Sequence, residues 1–301
     1  MYNRLLLTEK KMTKPKLSEI TDTYSLILCD IWGVVHNGDD VFPEAVNTLS
    51  AYLEAGGDIC LITNAPRRSG VIRDYLLNMG VERHICKNIV SSGDCSYSWL
   101  SSIEDRPLFH IGPEKDNSLF SGLDLKKVSE TECLECICTG FFNEYIESVG
   151  DYHKILETLL DRDIVMHCAN PDLYVNKGSI RLPCAGVIAQ SYAQLGGKVV
   201  YFGKPHPYIY DLALDTLLQS KHKSVSKDSI LAIGDGLNTD IAGASNFGID
   251  SFFIINGVHE AEFIKNNDSS EIDIESVRDY INKNYTKISI PKFVMNSLNL
   301  L

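Results

Sequence analysis

Along this chain, short continuous apolar runs alternate with longer stretches in which apolar residues recur every three or four positions. Ser25 to Cys29 is such a run and predicts a buried strand ending at Asp30. Pro43 to Ala55 carries Ala45, Val46, Leu49, Tyr52 and Leu53 at helical spacing, and Gly56-Gly57 stops it. Asp58 to Ile62 predicts a second strand, Ser69 to Met79 a second helix stopped by Gly80, and Ile89 to Ser91 a third strand. Towards the other end the same rhythm returns. Val199 to Phe202 reads as a strand, Pro207 to Gln219 as a helix and Ile230 to Ile233 as a strand leading into Gly234-Asp235. A short helix over Asp240 to Phe247 and a strand over Asp250 to Ile255 follow.

Strands alternating with helices imply right-handed βαβ units, hence an α/β fold with a Rossmann-like parallel sheet. The runs are apolar on both faces, as in a sheet covered on both sides. Ligands of such sheets bind at the carboxyl ends of the strands. Asp30, Thr63, Asn64 and Asp235 fall there, and Lys204 follows the run ending at Phe202. The middle of the chain has its own strands, at Pro107 to Ile111, Ile137 to Phe141 and Ile164 to His167, and a helix around Tyr152 to Leu160. The expected organisation is a core over residues 15–102 and 198–301, with a second α/β domain inserted over 103–197.

Composition narrows the class. The 301 residues are 44% hydrophobic and 23% charged, ordinary values for a globular chain, with room for two domains. A formal net charge of −12 argues against nucleic acid or an anionic membrane surface as the main partner. Any phosphate site must therefore be positive locally. Of nine cysteines, most lie inside apolar runs, which suits buried thiols in a cytoplasmic protein. Cys133, Cys136 and Cys138 cluster without a fourth zinc ligand at regular spacing, and read as structural. The apolar run Leu5 to Leu7 is too short for a signal peptide, and the first fifteen or so residues read as a loose leader or an early helix.

Four segments carry chemistry. Asp30 is a carboxylate at a strand end, suited to nucleophilic attack or metal binding. Thr63 and Asn64 offer a hydroxyl and an amide to phosphate oxygens. Gly203-Lys204-Pro205 places an ammonium where it can neutralise phosphate. Gly234-Asp235-Gly236 through Asp240 supplies two carboxylates beside glycines that allow close approach, a hard-oxygen set fitting Mg²⁺. No G-x-G-x-x-G, P-loop, H-E-x-x-H or G-x-S-x-G motif occurs. Arg67-Arg68 reads as a solvated pair at a helix start.

With these motifs in this order, the sequence resembles the haloacid dehalogenase superfamily of phosphohydrolases, in the NagD-like subgroup with a large (C2-type) cap between the second and third motifs. The resemblance includes Leu61 to Asn64, Val90 to Gly93, Asn170-Pro171-Asp172, Gly203 to Pro207 and Gly234 to Ile241. It implies a Mg²⁺-dependent phosphatase of small phosphorylated metabolites. Asp30 would form an aspartyl-phosphate, with Thr63 and Lys204 orienting and neutralising the phosphoryl group. Asp30, the backbone carbonyl of Trp32, and Asp235 would bind the metal, and Asp240 would support it. Asn64, Asn170 and Asp172 would help enclose the substrate. Oligomeric state stays open, a homo-oligomer included.

The sequence departs from the family at Trp32, where the Asp-x-Asp motif has its second aspartate. An indole N–H only donates and cannot shuttle protons. Three expectations follow: a phosphatase with a good leaving group or a substitute acid, a slow phosphoryl acceptor, or a non-catalytic phospholigand-binding or interaction protein. His36 is the candidate substitute, although a plain loop role is the simpler reading. Trp32 itself is either a stacking surface for a ligand ring or packing under the cap.

Overall fold

The computed structural model describes residues 12–178, 180–221, 224–263 and 272–301. The run Leu5 to Leu7 lies outside them. The chain opens the core with β1 (Leu26–Cys29), β2 (Asp58–Thr63) and β3 (Ile89–Ser91). A second unit follows with β4 (Leu108–Ile111), β5 (Glu135–Cys138), β6 (Met166–Cys168), β7 (Tyr174–Lys177), β8 (Ile180–Pro183) and β9 (Val199–Tyr201). The core then resumes with β10 (Ile230–Gly234), β11 (Asp250–Ile254) and β12 (Phe293–Met295).

The core sheet is parallel throughout, in the order β12-β11-β10-β1-β2-β3. Every residue of β1 is buried, and its faces divide as a two-residue period requires. Ile27 and Cys29 pack with Ala45, Leu49 and Tyr52 of the helix Pro43–Glu54. Leu26 and Leu28 pack with Ile209, Tyr210 and Ala213 of the helix Pro207–Lys221. Helices on both faces explain why the strand is apolar at every position rather than at alternate ones. The first helix is fixed further by the Tyr52 hydroxyl, which donates to the Tyr24 carbonyl at 2.8 Å.

The second unit has a parallel sheet ordered β4-β5-β6-β9 and a separate antiparallel hairpin, β7–β8. Cys136, Cys138, Met166 and Cys168 pack with Leu156, Ile188 and Tyr192 from two helices. All nine cysteines are free and buried, so the Cys133 cluster is part of this core. Val199 to Tyr201, read from sequence as a core strand, pairs instead with β6 at the edge of this smaller sheet. Its Val200 is 43% exposed, as befits an edge. An apolar run reports burial but not which sheet supplies the partner strand. The consequence is functional, because Lys204 sits on the crossover back to the core. Among the described residues no helix is long and apolar enough to cross a membrane.

Candidate active site

Asp30 directly follows β1, Thr63 ends β2 and Asp235 directly follows β10, so adjacent parallel strands deliver all three to one edge of the sheet. The crossover brings Lys204 onto that edge from above. Its side chain is 2% exposed, and its Nζ donates to Asp30 Oδ1 at 2.5 Å and to Asp240 Oδ1 at 2.7 Å. A third, longer bond at 3.4 Å reaches the Ile62 carbonyl. Asn64 holds the backbone of the same lysine from both sides. It accepts from Lys204 N at 2.7 Å and donates to the Lys204 carbonyl at 3.1 Å. The ammonium is thus aimed by strand ends and by an amide clamp, not by its own flexible stem.

Asp30, Asp235 and Asp240 each bring a carboxylate oxygen within 4.8 Å of the others, and all three are buried. Glycines make this packing possible. A Cβ at Gly33, where φ is +83°, would lie 2.1 Å from Asp235 Oδ2, and one at Gly257 would lie 1.9 Å from it. A Cβ at Gly234 would lie 2.1 Å from Asp240 Cγ. Val258 N donates to Asp235 Oδ2 at 2.8 Å, and Gly236 N to Asp240 Oδ2 at 3.1 Å.

Three buried carboxylates beside a single ammonium leave excess negative charge. Burial, and then the charge of Asp240, hold the Asp30 carboxyl well above the usual aspartate range, although Lys204 opposes them. Burial and Asp240 likewise push Asp235 up to about 7. Burial alone would lower the Lys204 ammonium, but Asp240, Asp30 and Asp172 outweigh it and keep it protonated. Clustered oxygens with unbalanced charge, in a cradle that a methyl group would fill, fit a hard divalent cation such as Mg²⁺. Among the described residues no other group of three His, Cys, Asp or Glu side chains meets that test.

A cleft of about 710 Å³ opens from Thr63 and Trp32 into the space between the two units. Tyr75 walls it on the core side, and Phe141, Phe142 and Tyr145 on the side of the inserted unit. Asn170 and Asp172 both line it. Asp172 Oδ1 accepts from Asn64 Nδ2 at 2.8 Å, which ties the inserted unit to the lysine clamp. The Thr63 hydroxyl accepts from Ala65 N at 3.2 Å and is 6% exposed.

Trp32 is half-buried, and its Nε1 donates to the Asn176 carbonyl of the β7–β8 hairpin at 2.6 Å. Its ring meets His36 edge to face, with centroids 5.0 Å apart. A second cavity, of about 280 Å³, lies where Trp32 and Asn176 meet Asp235. His36 is 2% exposed and accepts from Gly38 N at 2.9 Å through Nδ1. Burial pushes its imidazole down to about 4, so it is neutral near pH 7 and serves packing between Trp32 and Tyr75.

Arg67 and Arg68 are not a solvated pair. Arg67 Nε meets Asp116 of the inserted unit at 3.1 Å, and the Arg68 guanidinium lies 3.8 Å from the centre of the Tyr97 ring. Sequence reasoning missed this bridge and also the hairpin carbonyl at Asn176.

Comparison with known proteins agrees with the motif order. The haloacid dehalogenase-like hydrolase family profile matches residues 27–126, and a HAD-hydrolase-like profile matches 201–280. The structure of a haloacid dehalogenase-like hydrolase from Brucella suis 1330 superposes with a TM-score of 0.81 at 36% identity, covering 94% of this chain and 98% of that one. An acid sugar phosphatase of Staphylococcus aureus (strain USA300) is 30% identical over 251 residues, 81% of this chain and 91% of its own length. Ribonucleotide monophosphatase NagD of Escherichia coli K12 is 23% identical over 246 residues, 80% of this chain and 92% of its own length. With two family profiles matched and relatives of 30% and 36% identity covering most of both chains, this chain belongs to the haloacid dehalogenase-like hydrolases, in the NagD-like class.

Proposed function

We propose that this chain is a Mg²⁺-dependent phosphatase that hydrolyses small phosphorylated metabolites through an aspartyl-phosphate on Asp30. The observation that carries the reading is the Asp30 carboxylate, buried at a strand end and gripped by Lys204 at 2.5 Å beside two further carboxylates. Asp30, Asp235, Asp240 and the backbone carbonyl of Trp32 would hold the metal. Bound there, Mg²⁺ supplies positive charge to the phosphoryl oxygens. Lys204 adds a second fixed charge and the Thr63 hydroxyl orients the group, whereas Asn64, expected to hold phosphate, has its amide committed to Lys204 and Asp172 and positions the lysine instead. Asn170 and Asp172 close the cleft from the inserted unit, which takes in residues 103–197 together with β9. The acid sugar phosphatase and NagD relatives make a small phosphorylated substrate the natural candidate. A net charge of −12 and nine buried thiols suit a cytoplasmic enzyme without a nucleic-acid partner.

One observation favours a second reading, a phospholigand-binding protein without turnover. The Trp32 N–H is committed to the Asn176 carbonyl, and an indole cannot exchange protons with a leaving group. Phosphate release from an aryl phosphate and a metabolite panel, with and without Mg²⁺, separates the two. The phosphatase reading expects Mg²⁺-dependent release that Asp30→Asn abolishes. No release from any substrate, with phosphate or a phosphate ester still binding, would leave the binding reading.

A further inference from the structure

We infer that Asp172, supplied by the inserted unit, is the proton donor and acceptor of the reaction, in place of a carboxylate at position 32. This rests on the phosphatase reading above. Four carboxyl side chains line the cleft: Asp39, Asp116, Glu144 and Asp172. Asp116 is paired with Arg67 and Glu144 with Lys115, while Asp39 is exposed at the rim. Asp172 alone of the four is bonded to the residue that clamps Lys204, through Asn64 Nδ2 at 2.8 Å. That donor is a neutral amide, so it fixes the carboxyl without claiming its proton.

The backbone of Asp172 is fixed as well. Its N–H donates to Asn170 Oδ1 at 3.1 Å and its carbonyl accepts from Gly186 N at 3.2 Å. A Cβ at Gly186 would lie 2.5 Å from that carbonyl oxygen, so the helix start presses directly on it. The charged and titratable groups facing Asp172 are Lys204, Asp240 and Asp235 from the core, and Cys168 and Cys184 from the inserted unit. Burial raises the carboxyl above the ordinary aspartate range, and Asp240 adds to this, against Lys204 and the Asn64 bond. A carboxyl so placed holds a proton more readily than an exposed one, which suits general acid work.

The chemistry balances in two steps. An Asp30 oxygen bonds to phosphorus as the ester P–O bond breaks, and the departing oxygen keeps the electron pair and takes the Asp172 proton. Water then bonds to phosphorus and gives a proton back to the Asp172 carboxylate, while Asp30 departs with its electron pair.

Asp172→Asn tests this, because a carboxamide oxygen still accepts the Asn64 N–H while the proton is gone. The kcat and KM are measured for an alkyl phosphate and for an aryl phosphate with an acidic phenol. For the alkyl ester, kcat/KM is expected to fall about 10²–10⁴-fold with KM nearly unchanged, and the aryl ester is expected to lose much less. The double variant Asp172→Asn with Trp32→Asp is expected to recover alkyl turnover. Equal losses for both esters, or an unaffected alkyl ester in a variant with wild-type Tm, would overturn the assignment and leave the phosphatase reading intact. Wild-type protein with no Asp30-dependent release from either ester would overturn both.

Discussion

The excess of buried carboxylates makes a quantitative prediction for Asp235→Asn. An exposed aspartate titrates at 3.8, whereas Asp235 in the folded protein is pushed up to about 7 by burial and by Asp240. A carboxyl whose pKa rises on folding binds its proton more tightly in the native state. The native state is therefore favoured at low pH, and stability is lost as pH climbs from about 4 through about 7. The gap corresponds to about 4 kcal/mol, fully expressed only above the folded pKa. Asparagine carries no charge to bury, and its side-chain oxygen can still accept the Val258 N–H that Asp235 holds at 2.8 Å. In chelator, the variant should melt higher than wild type at pH 8, with a gain of up to about 4 kcal/mol. At roughly 2–4 °C per kcal/mol, that is about 10 °C. At pH 4 the two should coincide. Adding Mg²⁺ at pH 8 should raise the wild-type Tm and flatten its pH dependence, while the variant gains little. Differential scanning calorimetry over pH 4–8, with and without Mg²⁺, reads all of this. A chelated variant melting at or below wild type at pH 8, or an equal Mg²⁺ gain in both proteins, would refute the electrostatic account.

Two further perturbations test the cradle and its latch. Trp32→Phe keeps a ring against His36 but removes the N–H held by the Asn176 carbonyl at 2.6 Å. Loss of one hydrogen bond, about 0.5–1.5 kcal/mol, should speed amide exchange in the β7–β8 hairpin about two- to tenfold. Hydrogen-exchange mass spectrometry showing unchanged protection there would contradict the latch. Gly257→Ala puts a methyl group 1.9 Å from Asp235 Oδ2, so the carboxylate must rotate away. Mg²⁺ affinity by titration calorimetry should drop about 10–100-fold, as when a ligand's support is lost. Wild-type affinity would mean that Asp235 is not held where the cradle requires.

Much of the site was legible because the relevant signals are local. An apolar run covered on both faces predicts a strand of a helix-covered parallel sheet, and the residue after it must lie at that sheet's functional edge. Asp30, Thr63 and Asp235 follow from that rule alone, and β1, β2 and β10 deliver them as the pattern requires. The cysteines were equally readable, since their apolar neighbours already implied burial. Where the pattern misled, the missing information was long-range. Val199 to Tyr201 was recognisable as a strand, but its partner β6 lies some thirty residues away, and no local period encodes sheet membership.

The same divide runs through the chemistry. Composition and motif order determined that this chain gathers carboxylates, a hydroxyl and one lysine at the edge of a parallel sheet. Only the tertiary structure decided how those groups are balanced and enclosed. It placed Lys204 on the crossover, where Asn64 clamps it and two carboxylates hold its charge. It turned Trp32 from an absent aspartate into a donor to Asn176, and brought Asp172 to the lysine clamp from the inserted unit. Hydrogen bonds and charge pairs between residues over a hundred positions apart depend on how two sheets dock. That docking is fixed by the sum of buried surfaces, which no window of sequence contains.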